Sequence, residues 1–386
     1  MDKNMKIAYI YPELIPSSNA RSISVINTIA NLSIFSDITL YCETGSDKKK
    51  AESFYRVSLN NVKFVYISKK SLFFKSNYFF NKRLINNLPE NIDFIYTRHL
   101  KAAKSLLSYK RRNGLDFSIV FEAHEIFFDT LSEVVTSKKY KIQALKQLEQ
   151  YVYKNVDAIV FSNQEVRRYC NIFFNETCPK QKVAYNGSKG FGTCKIKDFS
   201  KIDGIYYIGS LFKWKGVDEL IKAFSSIPSK QLYIVGDGER LPELQKICSE
   251  SKIDNIVFLG RKSQNDVFSI LREESKVCII PNSISIQNKY SVPIKLFEYL
   301  NTANIVIAPD MPTILEIDKN KDFIYFFEHG NNDSMLNVLQ AVFNDEADIL
   351  GEKALLGFES SKKYTWQARS NEIFNFLKDL NDKADI

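Results

Sequence analysis

Short apolar runs rich in β-branched and aromatic residues recur along the chain, separated by stretches of helical length. In the first half they are Lys6–Tyr11, Ile38–Cys42, Lys63–Ile67, Phe94–Thr97, Ser118–Ala123, Ala158–Ser162 and Lys182–Tyr185. In the second half they are Ile205–Ile208, Gln231–Val235, Ile256–Leu259, Val277–Pro281, Asn304–Ala308 and Phe323–Phe327. Most are apolar at successive rather than alternate positions, the pattern of parallel strands covered by helices on both faces. Strand and helix alternate from end to end, which predicts an α/β fold. The rhythm breaks over Asn186–Asp203 (NGSKGFGTCKIKDFSKID), rich in Gly, Lys and Ser and without helical period. It reads as a linker between two α/β domains, 1–190 and 203–364. The last segment, Thr365–Leu380, is amphipathic, with Trp366, Ile373, Phe374 and Phe376 on or near one side. No strand follows it, so residues 365–386 are expected to pack on a surface already built. In such folds the default ligand site is the cleft where strand C-termini and helix N-termini converge.

Composition narrows the class. With 45% hydrophobic and 25% charged residues, the chain is globular rather than disordered or collagen-like. No apolar run approaches the ~18 residues of a spanning helix. The start, MDKNMKIAYIYPE, enters a strand almost at once, so no signal peptide and a soluble, cytoplasmic protein are expected. Cys42, Cys170, Cys178, Cys194, Cys248 and Cys278 are scattered without a CxxC pair, which suits neither a zinc site nor a disulfide framework. Cys248 and Cys278 read as small core residues. Three histidines argue against a His-rich metal centre. The Asn-x-Ser/Thr matches at Asn31, Asn175 and Asn186 carry little weight in such a protein. The formal charge of +8 favours anionic partners: nucleic acid, phosphorylated small molecules or acidic headgroups.

Candidate chemistry concentrates in the second half. After Ile205–Ile208 comes GSLFKWKGVDELIKAF, in which Gly209 ends the strand and Lys215-Gly216 precede a helix. A lysine at a helix mouth, beside free N–H groups, suits a phosphate; a solvated loop lysine fits the same string. The next strand leads into Gly236-Asp237-Gly238, a tight turn or a ligand contact, and Ile256–Leu259 into Gly260-Arg261, where a flat base or a simple turn fits. In YSVPIKLFEYL, Pro293 pre-organises a first helical turn that Ser291 or Val292 can cap, leaving the N–H groups of Ile294 and Lys295 free. Glu298, one turn on, can accept both hydroxyl protons of a ribose, or pair with Lys295 on the surface.

Together these strings identify a resemblance. IGSLFKWKGVDELIKAF, LYIVGDGERLPEL, IVFLGRKSQNDV and PIKLFEYL resemble, in order and spacing, the donor half of glycosyltransferase family four, retaining enzymes of the GT-B fold. KIAYIYPE, VFEAHEIF, LEQYVYKNVDAIVFSN and VAYNG resemble its first domain more loosely. The resemblance implies two Rossmann-like parallel-sheet domains facing across a cleft, with the last helix crossing back to the first. It implies transfer of a sugar from a nucleoside-diphosphate sugar to a glycan or lipid-linked saccharide, as in bacterial surface polysaccharide synthesis. Lys215 would hold the donor diphosphate, Glu298 the ribose, Gly260 and Arg261 the base. Gly209, Ser210, Lys213, Gly236, Tyr290, Ser291, Pro293, Ile294 and Lys295 complete the implied donor site. His124 corresponds to the family's histidine near the reacting carbon; His124, Lys215 and Glu298 are therefore the candidate catalytic residues. Glu122 and Glu125 beside His124 are expected to fix its tautomer or raise its pKa.

The chain departs from the family at three places. Ser210 stands where an arginine is usual, and Lys213 supplies charge without an arginine's fork. Tyr290 stands where the first of two paired glutamates is usual, leaving Tyr290 or Asn288 to offer a hydrogen bond to the sugar. The glycine-rich loop is replaced by PSSNARS, whose Ser18, Asn19 and Arg21 still supply donors at a helix start. With Arg98 and His124 they form the candidate acceptor site. Lys215, Lys295 and helix N-termini would stabilise charge developing on the diphosphate, so no metal or other cofactor is expected, consistent with the absence of a DxD string. Two alternatives use the same fold: a non-catalytic binding subunit, favoured by Ser210 and Tyr290, and a nucleotide-sugar epimerase.

Residues 69–83, KKSLFFKSNYFFNKR, interleave Phe73, Phe74, Tyr78, Phe79 and Phe80 with Lys69, Lys70, Lys75, Lys82 and Arg83. The pattern suits an anionic membrane surface, with Lys138, Lys139 and Lys141 extending it; core aromatics among solvated lysines give the same string. No RNA-binding motif accompanies it, so nucleic acid is not an expected partner.

Overall fold

The computed structural model describes residues 5–72, 74–134, 139–178, 180–190, 192 and 197–382. The chain divides into two compact units, Met1–Asn186 with Trp366–Ile386, and Gly187–Thr365. The first holds β1 (Lys6–Tyr11), β2 (Asp37–Glu43), β3 (Val62–Ile67), β4 (Phe94–Thr97), β5 (Ser118–Ala123), β6 (Ala158–Phe161) and β7 (Gln181–Val183). They form a 7-stranded sheet in the order β3-β2-β1-β4-β5-β6-β7. The second holds β8 (Gly204–Ile208), β9 (Gln231–Val235), β10 (Ile256–Gly260), β11 (Val277–Ile279), β12 (Ile305–Pro309) and β13 (Ile324–Phe327), ordered β10-β9-β8-β11-β12-β13.

Every pairing in both sheets is parallel. All strand C-termini of a unit therefore share one edge. The order reverses beside β1 and β4 in one sheet and beside β8 and β11 in the other. Loops leaving those neighbours diverge, which makes the two reversal points the natural ligand positions of each unit. Each apolar run of the sequence is a strand, with ends shifted by a residue or two. Strand β11 stops at Ile279 rather than Pro281 because, after Ile280 N–H bonds Ile307 O (2.9 Å), Pro281 has no N–H to extend the ladder. Cys248 and Cys278 are both buried; Cys194 lies outside the described residues.

The division falls after Asn186 rather than at 190. Ser188 N–H donates to Tyr364 O at 3.0 Å, which ties residues 187–190 to the end of the second unit. The stretch read as a linker is also shorter than expected. Phe199 and Ile202 are buried in the second core. Lys197 Nζ reaches Leu271 O (2.5 Å), Ser275 O (2.6 Å) and Asn304 Oδ1 (2.8 Å), spending its charge on interior carbonyls. A count of lysines and glycines cannot distinguish such an anchor from a solvated tail.

The last helix, Trp366–Asp382, belongs to the first unit. Its buried face is Ile373, Leu377 and Leu380, one stripe at helical spacing, joined by partly buried Phe374 and Phe376. It packs on the helix Ala20–Leu32, where Ser370 Oγ donates to Thr28 O (3.1 Å). Arg369 is the largest side chain to vanish from solvent. It donates to Thr28 Oγ1 (3.1 Å), to Ala184 O, and through Nη2 to Glu122 Oε1 (2.9 Å). Glu122 is buried as well, so removing either partner strands the other charge in the interior. Arg369→Leu is expected to cost about 3–5 kcal/mol of first-unit stability in urea denaturation. The double variant Arg369→Leu/Glu122→Gln is expected to lose less than the two single variants added together.

Candidate active site

In the second unit, glycines bring the strand-end loops together. Gly209 N–H bonds Val235 O (2.9 Å), Gly236 N–H bonds Gly260 O (2.9 Å), and Leu211 N–H bonds Asp237 O (3.0 Å). A Cβ on Gly236 would sit 1.8 Å from Gly209 O, and one on Gly238 2.6 Å from Leu211 N. Both glycines are thus needed for loop-to-loop approach. Gly260 ends the edge strand at φ +66, and Arg261 projects beyond it, exposed.

After Ser210, whose carbonyl accepts from Tyr207 OH (2.7 Å), the chain makes a short 3-10 turn, Lys213–Lys215. Gly216 follows at φ +67, so close to Pro281 O that a Cβ would lie 2.4 Å away. Trp214 O accepts from Ser283 N–H (3.2 Å) and from Asn288 Nδ2 (2.7 Å), and Nδ2 also donates to Ser283 O (2.8 Å). Asn288 therefore clamps the lysine turn to the loop after β11, and its amide protons are not available to a sugar. In that loop Asn282 Nδ2 and Ser285 Oγ are buried without a partner among the described residues.

Lys213 is exposed, whereas Lys215 is half-buried. Burial lowers the Lys215 pKa below the usual ammonium value, and none of the described carboxylates opposes it. The following helix, Val217–Phe224, carries Asp218 and Glu219 in its own first turn, which offsets part of its positive end. The uncompensated charge at this edge is Lys215 itself.

Helix Ile294–Asn301 begins differently from the expectation. Pro293 is the boundary residue, without a side-chain cap, and Ser291 Oγ donates instead to Gln287 O (3.1 Å). The N–H groups of Ile294 and Lys295 have no partner among the described residues, as first-turn geometry dictates. Lys295 Nζ meets Glu298 Oε2 at 2.6 Å, with 13% of the Glu298 side chain exposed. Tyr290 is 2% exposed, with the Lys289 ammonium 5.2 Å from its ring centroid. Tyr299 OH pins this helix under β8, accepting from Ile208 N–H (3.2 Å) and donating to Ile208 O (3.1 Å). Asn282, Ser285 and Tyr299 escaped the sequence reading, because nothing in their spacing separates them from ordinary loop and core residues; Asn288 was expected to face the sugar, and it holds the lysine turn instead. In a separate hollow lined among others by Asp218, Gln231 and Asn255, Asn255 Nδ2 is spent on the carbonyls of Phe224, Ile227 and Lys230.

In the first unit, His124 leaves the C-terminal end of β5 and its Nε2 contacts Glu122 Oε1. An ionised carboxylate only accepts, so Nε2 carries the proton and Nδ1 keeps its lone pair. Burial of Glu122 opposes its ionisation, but Arg369, His124 and Arg98 outweigh that and hold it well below the usual carboxylate range. The expectation of a raised histidine pKa is overturned. Burial, then Arg98, push His124 down to about 4, against the weaker pull of Glu122. Glu125 does not contribute, being paired with Arg21 at 2.9 Å. Glu149, also unforeseen, accepts the N–H groups of Phe127 (2.9 Å) and Phe128 (3.1 Å) and so caps the helix after His124.

Of the PSSNARS donors, Asn19 serves the fold: Oδ1 accepts from Ser22 N–H (2.7 Å) and Nδ2 donates to Ser17 Oγ (2.8 Å). Ser18 is exposed, and the Arg21 charge goes to Glu125. Arg98, leaving β4, is buried, and its Nη1 has no partner among the described residues. Among the described residues no three His, Cys, Asp or Glu side chains form a metal-ligand group, and no helix is long and apolar enough to cross a membrane.

Residues 197–355 match the family model described as glycosyl transferases group 1. An uncharacterized glycosyltransferase of Methanocaldococcus jannaschii is 25% identical over 240 residues, 60% of this chain and 62% of that protein. The chain thus matches about three fifths of that curated relative's length. Among solved structures, Anabaena HepE in complex with UDP superposes with a TM-score of 0.75 at 13% identity, covering 97% of this chain and 100% of that one. Sucrose-phosphate synthase from Thermosynechococcus elongatus does so with a TM-score of 0.73 at 13% identity, covering 98% and 100%. At such identity the likeness is one of fold, the pair of Rossmann-like units of GT-B architecture.

The electrostatics of the first unit have a measurable consequence. His124 and His99, the latter pushed by burial to about 3, are both neutral in the folded chain well below the ordinary histidine pKa. Their imidazole NMR signals are expected to remain those of neutral rings at about pH 5.5. Below about pH 6.5 the unfolded chain protonates two imidazoles that the folded chain keeps neutral, while burial, which raises Glu149 to about 7, makes the folded chain hold one proton in return. The two histidines outweigh the one carboxyl, so stability falls as pH drops from there toward about 4. Thermal denaturation across that range checks the sign, and His124→Asn is expected to flatten the profile.

Proposed function

We propose that this chain, whose residues 197–355 carry a glycosyl transferases group 1 domain, transfers a sugar from a nucleoside-diphosphate sugar to a saccharide acceptor. The observation that carries this reading is Lys215, a half-buried cation without a counter-charge among the described residues, at the reversal point of a parallel sheet. Free N–H groups of Ile294 and Lys295 share that edge. A diphosphate supplies the missing negative charge and accepts those donors.

Ribose hydroxyls would take Glu298 from Lys295, freeing the Lys295 ammonium to approach the diphosphate. The base would lie toward Gly260 and Arg261. The bond that breaks joins the anomeric carbon to a diphosphate oxygen. Negative charge grows on that oxygen as an oxocarbenium-like centre forms, and Lys215, Lys295 and the amide groups stabilise it. Those charges take the part a metal plays elsewhere, so the proposed reaction is metal-independent, and it proceeds with retention. His124 offers Nδ1, a neutral acceptor, to a sugar hydroxyl. UDP is the first nucleotide to try, because HepE is known in complex with UDP.

Calorimetry with UDP and radiolabelled transfer from UDP-sugars test this. Lys215→Met is expected to weaken UDP binding by about ten- to a hundredfold, the value of one charge-assisted contact, and to abolish transfer. Transfer by the unaltered protein is expected to persist in EDTA. UDP affinity unchanged by Lys215→Met sinks the reading. Binding without transfer points to a binding subunit, and epimerisation without acceptor to an epimerase.

The acceptor we propose is a glycan or lipid-linked saccharide at the cytoplasmic face of a membrane, in surface-polysaccharide synthesis. Residues 69–83 support it in reduced form. Lys69 turns inward to Glu13 (3.2 Å) and Glu43 (3.4 Å), Lys75 also pairs with Glu43, and Phe80 is core. Phe73 and Lys138 lie outside the described residues. What faces solvent is Leu72 (93% exposed), Phe74 (62%) and Tyr78 (66%), with exposed Lys70, Lys82 and Arg83 around them. Apolar tips rimmed by cations fit an anionic headgroup layer. In liposome flotation the protein is expected to rise with acidic vesicles at low salt, and Leu72→Ser/Phe74→Ser/Tyr78→Ser to stay behind. No flotation of the unaltered protein removes the membrane from the proposal.

A further inference from the structure

The first sheet reverses its order beside β4, and Arg98 is the first residue to leave that strand. Only 8% of Arg98 is exposed, yet Nη1 is closed off from solvent with no hydrogen-bond partner among the described residues. A buried guanidinium normally sits against a carboxylate, since an unpaired interior charge is costly. Here the nearby carboxylates are committed elsewhere. Glu122 serves Arg369 and His124, Glu125 serves Arg21, and Glu13 serves Lys69. The field of Glu122 reaches Arg98, but no described carboxylate oxygen lies within hydrogen-bonding distance of the guanidinium.

The other charges around Arg98 are already paired, Arg21 with Glu125 and Lys69 with Glu13, and the remaining neighbours are polar and neutral. His124 keeps an open Nδ1, and His99 Nε2 is buried without a partner. The His99 ring stands edge-on to Tyr11 at 5.8 Å, and Tyr11 OH bonds Ser22 Oγ at 2.9 Å. The charge of Arg98 is one cause of the neutrality of both imidazoles. One cation left unpaired among the described residues, with planar donors and with uncharged groups able to accept sugar hydroxyls, describes a receptor for a sugar bearing a negative group.

We propose that Arg98 anchors a phosphate or carboxylate on the acceptor, so that the acceptor is an anionic rather than a neutral sugar. The inference rests on the transferase reading, which supplies an acceptor. Because the buried donor is unsatisfied without that anion, a neutral analogue leaves it unpaired and is rejected. Lysine keeps the charge but not the fork, so Arg98→Lys retains only part of the preference.

The test titrates the full chain, saturated with UDP, with glucose 6-phosphate, glucuronate and glucose, by calorimetry. At least one anionic sugar is expected to bind about tenfold or more tightly than glucose. Arg98→Gln is expected to erase that difference while leaving UDP affinity unchanged. It is also expected to melt no lower than the unaltered protein without ligand, because it removes an unpaired interior charge. Equal binding of all three sugars overturns the proposal. So does a fall in UDP affinity in Arg98→Gln, which would place the donor diphosphate on Arg98. A marked loss of unliganded thermal stability in Arg98→Gln overturns it as well, by making Arg98 a structural partner. Failure of UDP to bind any of the proteins refutes the transferase reading alone; the same titration without UDP then still reads the preference set by Arg98.

Discussion

The interior ion pair between Arg369 and Glu122 organises the first unit. It draws the last helix of the chain onto the helix Ala20–Leu32, joining elements far apart in sequence. It keeps Glu122 ionised in a place where burial alone would neutralise it. An ionised Glu122 then dictates which nitrogen of His124 holds the proton. Because Glu122 is occupied by Arg369 and His124, Arg98, at the end of the neighbouring strand, is left without a direct partner among the described residues. The geometry of one buried pair thus sets the tautomer of one side chain and the unmet charge of another.

The second unit reaches a comparable result by backbone means. Glycines let the loops after β8, β9 and β11 approach within distances that any side chain would forbid. Asn288 and Tyr299 then hold the lysine turn and the helix bearing Glu298 to the same strand end. These are positioning contacts; they satisfy carbonyls and amides that would otherwise be free to move. Among the described residues these groups are left incomplete: Lys215 unopposed, two helical N–H groups open, Asn282 and Ser285 without partners. Preorganised donors of this kind cost stability, because each unpaired polar group is buried without a hydrogen bond.

Particular residues show where a linear reading holds and where it fails. Strands announced themselves, since a run such as Ile205–Ile208 can only be covered on both faces. The placement of Lys215 and Glu298 beside helix starts was legible because strand-loop-helix turns have a short-range signature. Lys197 was not, because a lysine that threads among interior carbonyls looks the same on paper as one in solvent. His124 stands at a strand end and Glu122 fixes its tautomer, as one of the two expectations had it; the other, a raised pKa, failed. Two flanking glutamates suggested a rise; the fold turned one toward Arg21 and set Arg98 and burial against the other.

The sequence by itself determined the alternation of strand and helix, the parallel sheets, and the loops on which phosphate chemistry could lie. Those follow from periodicity and from turn residues, which act over a few positions. Tertiary structure alone decided which charges are cancelled. Whether Arg98, Lys69 or Lys295 meets a carboxylate depends on residues brought in from other strands and helices, and on how much water remains between them. Coulomb energy and desolvation are functions of three-dimensional distance and burial, and neither quantity is written in the spacing of residues along a chain.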